Sequence, residues 1–178
     1  MKKTLVLLLL LSLSHLFSQN LENKIDSIIQ TEFSSPNEPG GAFLISKSGK
    51  PIYKKAFGLA NLELNIKMTD ENVFQIGSMT KQFTAVAILI LKEQGKLSVN
   101  DPVSKFIPDY PNGNNITLYH LLNHTSGIKD FTKMKTITDI AQKKMTPKEM
   151  VNFFKDESVD FSPGEKFEYS NSGYVLLG

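Results

Sequence analysis

From Ala85 to Leu91 every residue is apolar, and the run lies in a stretch free of Gly and Pro. A helix that is apolar on all its faces is stable only inside a domain. The rest of the chain must therefore build a shell around this one element. Gly95 supplies a C-terminal cap for it. The composition allows such a shell: 178 residues, 40% hydrophobic and 21% charged, are neither disordered nor collagenous. There is no Cys, so disulfides, thiolate nucleophiles and Cys metal sites are excluded, and stability must come from packing.

The charge pattern argues against polyanionic partners. All twenty basic residues are Lys, so bidentate guanidinium clamps on phosphate or guanine are missing. The formal charge of +2 reduces to a neutral balance once Lys2 and Lys3 are set aside. Those two lysines open a secretory signal: an apolar run from Leu5 to Leu13, then a more polar stretch ending Phe17-Ser18-Gln19. The run falls short of the roughly 20 apolar residues that span a bilayer, so no stable membrane insertion is expected. The reading is a signal peptide over 1–18, a secreted or periplasmic protein, and one partial domain over 19–178.

Leu21, Ile25, Ile28, Ile29 and Phe33 recur at helical spacing and predict an amphipathic first helix, ended by Pro36, Pro39, Gly40 and Gly41. Ala42 to Ser46 and Ile52 to Phe57, separated by Lys47-Ser48-Gly49-Lys50, predict a β-hairpin. Gly58 to Glu71 reads as loop. Thr117 caps a short helix through Leu122 that stops by Gly127. Thr146-Pro147-Lys148-Glu149 is a capping box with Pro at the first helical position, leading into Met150, Val151, Phe153 and Phe154. Lys133 to Lys144 reads as a solvated face or cap, and Ser162-Pro163-Gly164 as a turn before Phe167 to Leu177.

Ser78 precedes the apolar helix and Lys81 stands one helical turn on. A serine hydroxyl needs such a neighbour to become a nucleophile, and a helix N-terminus offers free N–H groups for an oxyanion. On its own Ser78 serves equally well as a helix cap. Ser126-Gly127-Ile128-Lys129 has the same spacing, but Gly127 disfavours the helix that would hold Lys129 over Ser126. Tyr169-Ser170-Asn171 brings a phenol and an amide after the Pro-Gly turn; Tyr110-Pro111-Asn112 shares that pattern within a turn. His120 and His124 have the spacing of some zinc ligands. Leu121 stands where such a motif needs Glu, and no third ligand of the mature chain completes a site. No metal and no cofactor are expected, and the histidines are read as structural.

Together these motifs resemble the serine β-lactamase and penicillin-binding protein family, nearest its class C and D-alanyl-D-alanine carboxypeptidase branch. The resemblance rests on Phe74 to Lys81, Leu121-Leu122-Asn123-His124-Thr125-Ser126-Gly127, Pro163-Gly164 and Tyr169-Ser170-Asn171 through Gly178, in the family's order from about Gly40 onward. It implies an α+β fold of the β-lactamase/transpeptidase type, with an N-terminal helix, a hairpin of an antiparallel sheet and a helical region around a buried central helix. It implies an exported serine hydrolase acting through an acyl-enzyme on β-lactams, D-alanyl peptides or esters. Ser78 is then the nucleophile, Lys81 its activating partner, Tyr169 the base or proton relay, and Asn171 the substrate's hydrogen-bond partner. Deprotonating an ordinary lysine or tyrosine at pH 7 costs about 4 kcal/mol. Either Lys81 gives up the proton, or a charged Lys81 stabilises Tyr169 as phenolate; the sites titrate together.

The family's third motif, a Lys- or His-led Thr-Gly triplet on a core strand, does not occur before Gly178. The resemblance therefore implies a C-terminally truncated chain whose hairpin and central helix expose apolar surface. It implies weak or no turnover as well, since one oxyanion donor is worth about 10²- to 10³-fold. The competing expectation is a non-catalytic relative that binds a peptidoglycan-like peptide or a protein partner.

Overall fold

A computed structural model describes residues 21–178. The signal assigned to 1–18 and the export it implies lie outside the described residues. The chain forms two compact units that meet in sequence between Gln75 and Ile76.

In the first unit, helix α1 occupies residues 21–32. Strands β1 (Gly41–Lys47) and β2 (Lys50–Phe57) pair antiparallel, with Gly41 opposite Phe57 and Lys47 opposite Lys50. The hairpin turns at Ser48 and Gly49, both at positive φ, the combination a two-residue turn needs to match strand twist. Asp26 of α1 accepts from the buried Tyr53 hydroxyl at 2.5 Å and pairs with Lys55 at 2.7 Å. Phe33, Phe43 and Phe57 stack edge to face at 5.2 and 5.9 Å. The segment read as loop contains two short strands, β3 (Leu59–Asn61) and β4 (Ile66–Lys67), paired antiparallel. Elements of three and two residues are too short to show alternation in sequence.

The second unit carries helices α2 (Thr80–Glu93), α3 (Leu118–Leu122), α4 (Pro147–Phe154) and α5 (Asn171–Leu177). Helices α3 and α4 begin where the sequence places their signals, whereas Met79, without a side-chain cap, precedes α2 and Ser170 caps α5. Thr117 and His120 form the capping box of α3, Thr146 and Glu149 that of α4. Beyond α2, Gly95 donates to Lys92 O and Lys96 to Leu91 O, with Gly95 at φ 69°. This is the Schellman arrangement that left-handed glycine permits.

The core of this unit gathers Ile88 from α2, Val103, Ile116, Leu118 and Leu121 around α3, Phe154 from α4 and Leu177 from α5. Apolar composition alone does not place α2 wholly inside the core, and the exposed surface that the resemblance implies for it is found. Of α2 only Ile88 is buried, while Phe83 (64% exposed), Val86, Leu89 and Ile90 remain exposed. Among the described residues the core covers one flank of the helix, so its apolar circumference is half used. The Lys133 to Lys144 stretch is not simply a solvated face either. It begins in a short 3₁₀ turn (Phe131–Lys133), buries Met134, and ties Lys133 to Glu168 at 2.8 Å. No helix among the described residues is long and apolar enough to cross a membrane.

Candidate active site

Ser78 sits in a 3₁₀ turn, Gly77–Met79, that feeds directly into α2. Gly77 takes φ 53°, a left-handed value that costs a residue without Cβ little. The turn leaves the Ser78 hydroxyl exposed, and Lys81 rises one turn above it. Lys81 Nζ donates to Ser78 Oγ at 3.2 Å. The Tyr169 hydroxyl, from the extended stretch preceding α5, donates to the same oxygen at 2.7 Å. Lys81 Nζ also donates to Asn171 Oδ1 at 2.8 Å and lies 4.9 Å from the centre of the Tyr169 ring. The four residues named from the sequence thus come together, two from the start of α2 and two from the start of α5.

The electrostatics follow from this crowding. Lys81 beside the phenol and the bond to Ser78 hold the Tyr169 hydroxyl below its usual value of 10.0, against a smaller opposing effect of burial. Tyr174, beneath it, moves the other way because it is more deeply buried. Ser78 Oγ receives two hydrogen bonds, so its own proton is free to leave once either donor has given up a proton to become an acceptor.

The segment carrying Tyr169 and Asn171 is fastened in place by contacts that sequence reasoning missed. Ser170 Oγ bonds Ile128 O at 3.3 Å, and Ser172 Oγ accepts from Phe131 N at 2.9 Å while donating to Lys129 O at 2.6 Å. Between them Asn171 Nδ2 donates to Asp130 and Thr132. Three consecutive residues at the start of α5 thus fasten to residues 128–132. Nothing local in Ser170 or Ser172 signals this role, because their partners lie some forty residues away.

His124 completes the support. Its backbone is left-handed at φ 58°, a region where His is among the better tolerated residues. Its ring lies against Tyr169 at 4.6 Å and Tyr174 at 5.1 Å. Nδ1 accepts from Ser170 N at 3.1 Å, and its carbonyl accepts from Glu168 N at 2.9 Å. Burial, then the charge of Lys81, lowers the imidazole below its usual 6.5. His120 Nδ1 accepts from Thr117 N at 3.2 Å. Both histidines therefore spend ring nitrogens on backbone donors, and among the described residues no cluster of three metal-ligating side chains occurs.

The look-alike motifs separate cleanly. Ser126 is buried and accepts from Ile128 N, while Lys129 turns away to pair with Asp160 at 2.7 Å. Tyr110 is buried, and burial pushes its phenol upward, opposite to Tyr169. An open cavity of about 370 Å³ adjoins the cluster, lined by Gly77, Ser78, Lys81, Phe131, Asn171 and Val175. A larger one of about 600 Å³ lies in the first unit and contains none of these groups.

Known proteins give the same picture. The family model described as Beta-lactamase matches residues 22–178, and the chain belongs to that family. It is similar to Protein flp of Staphylococcus aureus, 36% identical over 163 residues, covering 88% of this chain and 32% of that one. Among solved structures it resembles the octameric penicillin-binding protein homologue from Pyrococcus abyssi, with TM-score 0.72 and 38% identity over 88% of this chain and 37% of that one. It also resembles the D-amino acid amidase from Ochrobactrum anthropi SV3, with TM-score 0.66 and 32% identity over 78% and 38%. The chain spans about a third of the length of the curated relatives it matches. The expected α+β, β-lactamase/transpeptidase-like fold is the one found, as a part of that domain.

Proposed function

We propose that this protein is an exported active-site serine hydrolase that works through an acyl-enzyme. The single observation carrying the reading is the double donation to Ser78 Oγ by Lys81 and Tyr169. In the reaction, Ser78 Oγ bonds to the carbonyl carbon of an amide or ester. Its proton passes to whichever of Tyr169 and Lys81 has been deprotonated, and the acyl bond to the leaving group breaks as that group takes the proton. Water then releases the acid and restores Ser78. The depressed Tyr169 hydroxyl favours the route in which a charged Lys81 stabilises the phenolate. Asn171 Oδ1 keeps a second lone pair beyond Lys81 that can accept a substrate N–H.

The substrate class is an amide or ester carbonyl as found in β-lactams, D-alanyl peptides or small esters. The relatives' names support it: one is a penicillin-binding protein homologue, another acts on D-amino acid amides. Lys2, Lys3 and the Leu5 to Leu13 run support export. Incubation with a fluorescent penicillin followed by mass analysis of labelled peptides tests the proposal. The expected result is covalent label on Ser78 that disappears in Ser78→Ala. A folded protein that takes no label and hydrolyses no ester would overturn the reading in favour of a binding protein.

A further inference from the structure

Asp130 is a nearly buried carboxylate, 4% exposed, that the proposed reaction does not use. A buried charge needs compensation, and neither neighbouring lysine makes a direct ion pair with it. Lys129 pairs with Asp160, and Lys133 with Glu168. The carboxylate instead accepts hydrogen bonds. Oδ1 takes Thr132 N at 3.1 Å, Thr132 Oγ1 at 3.0 Å and Asn171 Nδ2 at 3.3 Å, and Oδ2 takes Asn171 Nδ2 at 3.2 Å.

The opposite end of the same amide meets an ammonium: Asn171 Oδ1 accepts from Lys81 Nζ at 2.8 Å. An amide has one acceptor end and one donor end, so only one orientation suits a carboxylate on one side and a cation on the other. Turning it over would set NH₂ against the ammonium and oxygen against the carboxylate. Asp130 thereby decides which end of Asn171 faces Lys81. The amide in turn holds Nζ where another of its protons reaches Ser78 Oγ at 3.2 Å.

We infer that Asp130 is a positioning residue for the acylation step, holding Lys81 over Ser78 through the amide of Asn171. The inference deepens the function proposed above and rests on it for its catalytic meaning, but the chain of contacts can be tested without any substrate. Lys81 beside the phenol is the main cause of the low Tyr169 hydroxyl value, whereas the Asp130 charge acts directly in the opposite sense and more weakly. The two effects differ in sign, so Tyr169 reports which one Asp130 exerts. Of the other titratable groups around it, His124 is lowered by burial and Lys81 against a raising effect of the Asp130 charge, and Tyr174 is raised by burial and by Tyr169.

The test is a ¹³C titration of the Tyr169 ring, assigned with Tyr169→Phe, in the unaltered protein and in Asp130→Asn. The substitution keeps an oxygen for Thr132 and removes the charge that orients Asn171. The expected result is an upward displacement of the Tyr169 midpoint by roughly half a pH unit or more as Lys81 loses its fixed position. It is accompanied by at least a tenfold loss of fluorescent-penicillin labelling at neutral pH. A midpoint that falls or does not move overturns the inference, because it reduces Asp130 to a background charge or a structural group. Absence of labelling in the unaltered protein would sink the hydrolase reading while leaving the titration to judge Asp130. If Asp130→Asn shows no melting transition, the Asn171 side-chain amide in the unaltered protein decides. Two slowly exchanging protons that respond to the titration of a carboxylate support the inference, and a freely rotating amide that does not respond overturns it.

Discussion

The hydroxyl of Tyr169 lies 2.7 Å from Oγ of Ser78, across 91 residues of sequence. Each side chain has its own anchor. Ser78 is set by the turn that opens α2, and Tyr169 by the His124 ring behind it and by Ser170, whose N–H is bonded to that ring. The relationship is therefore a product of two separately fixed backbones.

Tyr169→Phe removes the hydroxyl and keeps the ring against His124. Labelling of Ser78 by a fluorescent penicillin should fall roughly 10²- to 10⁴-fold, the range for a lost proton-transfer group, while the thermal midpoint stays nearly unchanged. Equal labelling would show that Lys81 alone serves as base.

Protonation of His124 should weaken the fold. In the native state its imidazole is lowered from 6.5 by burial and by Lys81, so the unfolded chain takes up the proton first. Stability linked to this group is present above about pH 6.5 and is lost as pH falls toward the lower native value. The thermal midpoint should decline as pH falls below about 6.5 in the unaltered protein. The decline should flatten in His124→Asn, a residue that tolerates the left-handed backbone.

The two Ser-x-x-Lys sequences should respond in opposite ways. Lys81→Ala should abolish labelling, because Nζ contacts Ser78, whereas Lys129→Ala should leave it intact, since Lys129 meets only Asp160 in an exposed pair. A loss of labelling in both, with fold retained by circular dichroism, would contradict the assignment.

Gly127→Ala should be severely destabilising. A Cβ there would lie 1.9 Å from Phe161 O, on a backbone at φ 73°. Strain of this kind is worth roughly 3 kcal/mol, measurable as a lowered urea midpoint. The effect on the site would be indirect, through the His124 to Gly127 turn.

How much of this was legible depended on how local the signal was. Thr146-Pro147-Lys148-Glu149 announces α4 because capping partners lie three residues apart, and Ser78 and Lys81 are neighbours on one turn for the same reason. Tyr169 and Asn171 could be selected only because they resemble a family motif. Asp130 lies outside those motifs, and Ser170, Ser172 and His124 lie within them without any sign of the contacts they make. Each is an ordinary polar residue until a partner some forty residues away folds against it. The exposure of α2 follows from the resemblance and not from its composition, since apolar composition states what a helix can bury and not how much of it the described residues cover.

The rungs that fasten Ser170, Asn171 and Ser172 to residues 128–132 imply a division of labour for anyone wishing to retune this site. The bolted side would transmit any change straight to the reacting atoms, so it is the wrong place to shop for new acceptors or donors. Thr84 of α2, which lines the same hollow, is tied to none of those rungs and is the place to vary first.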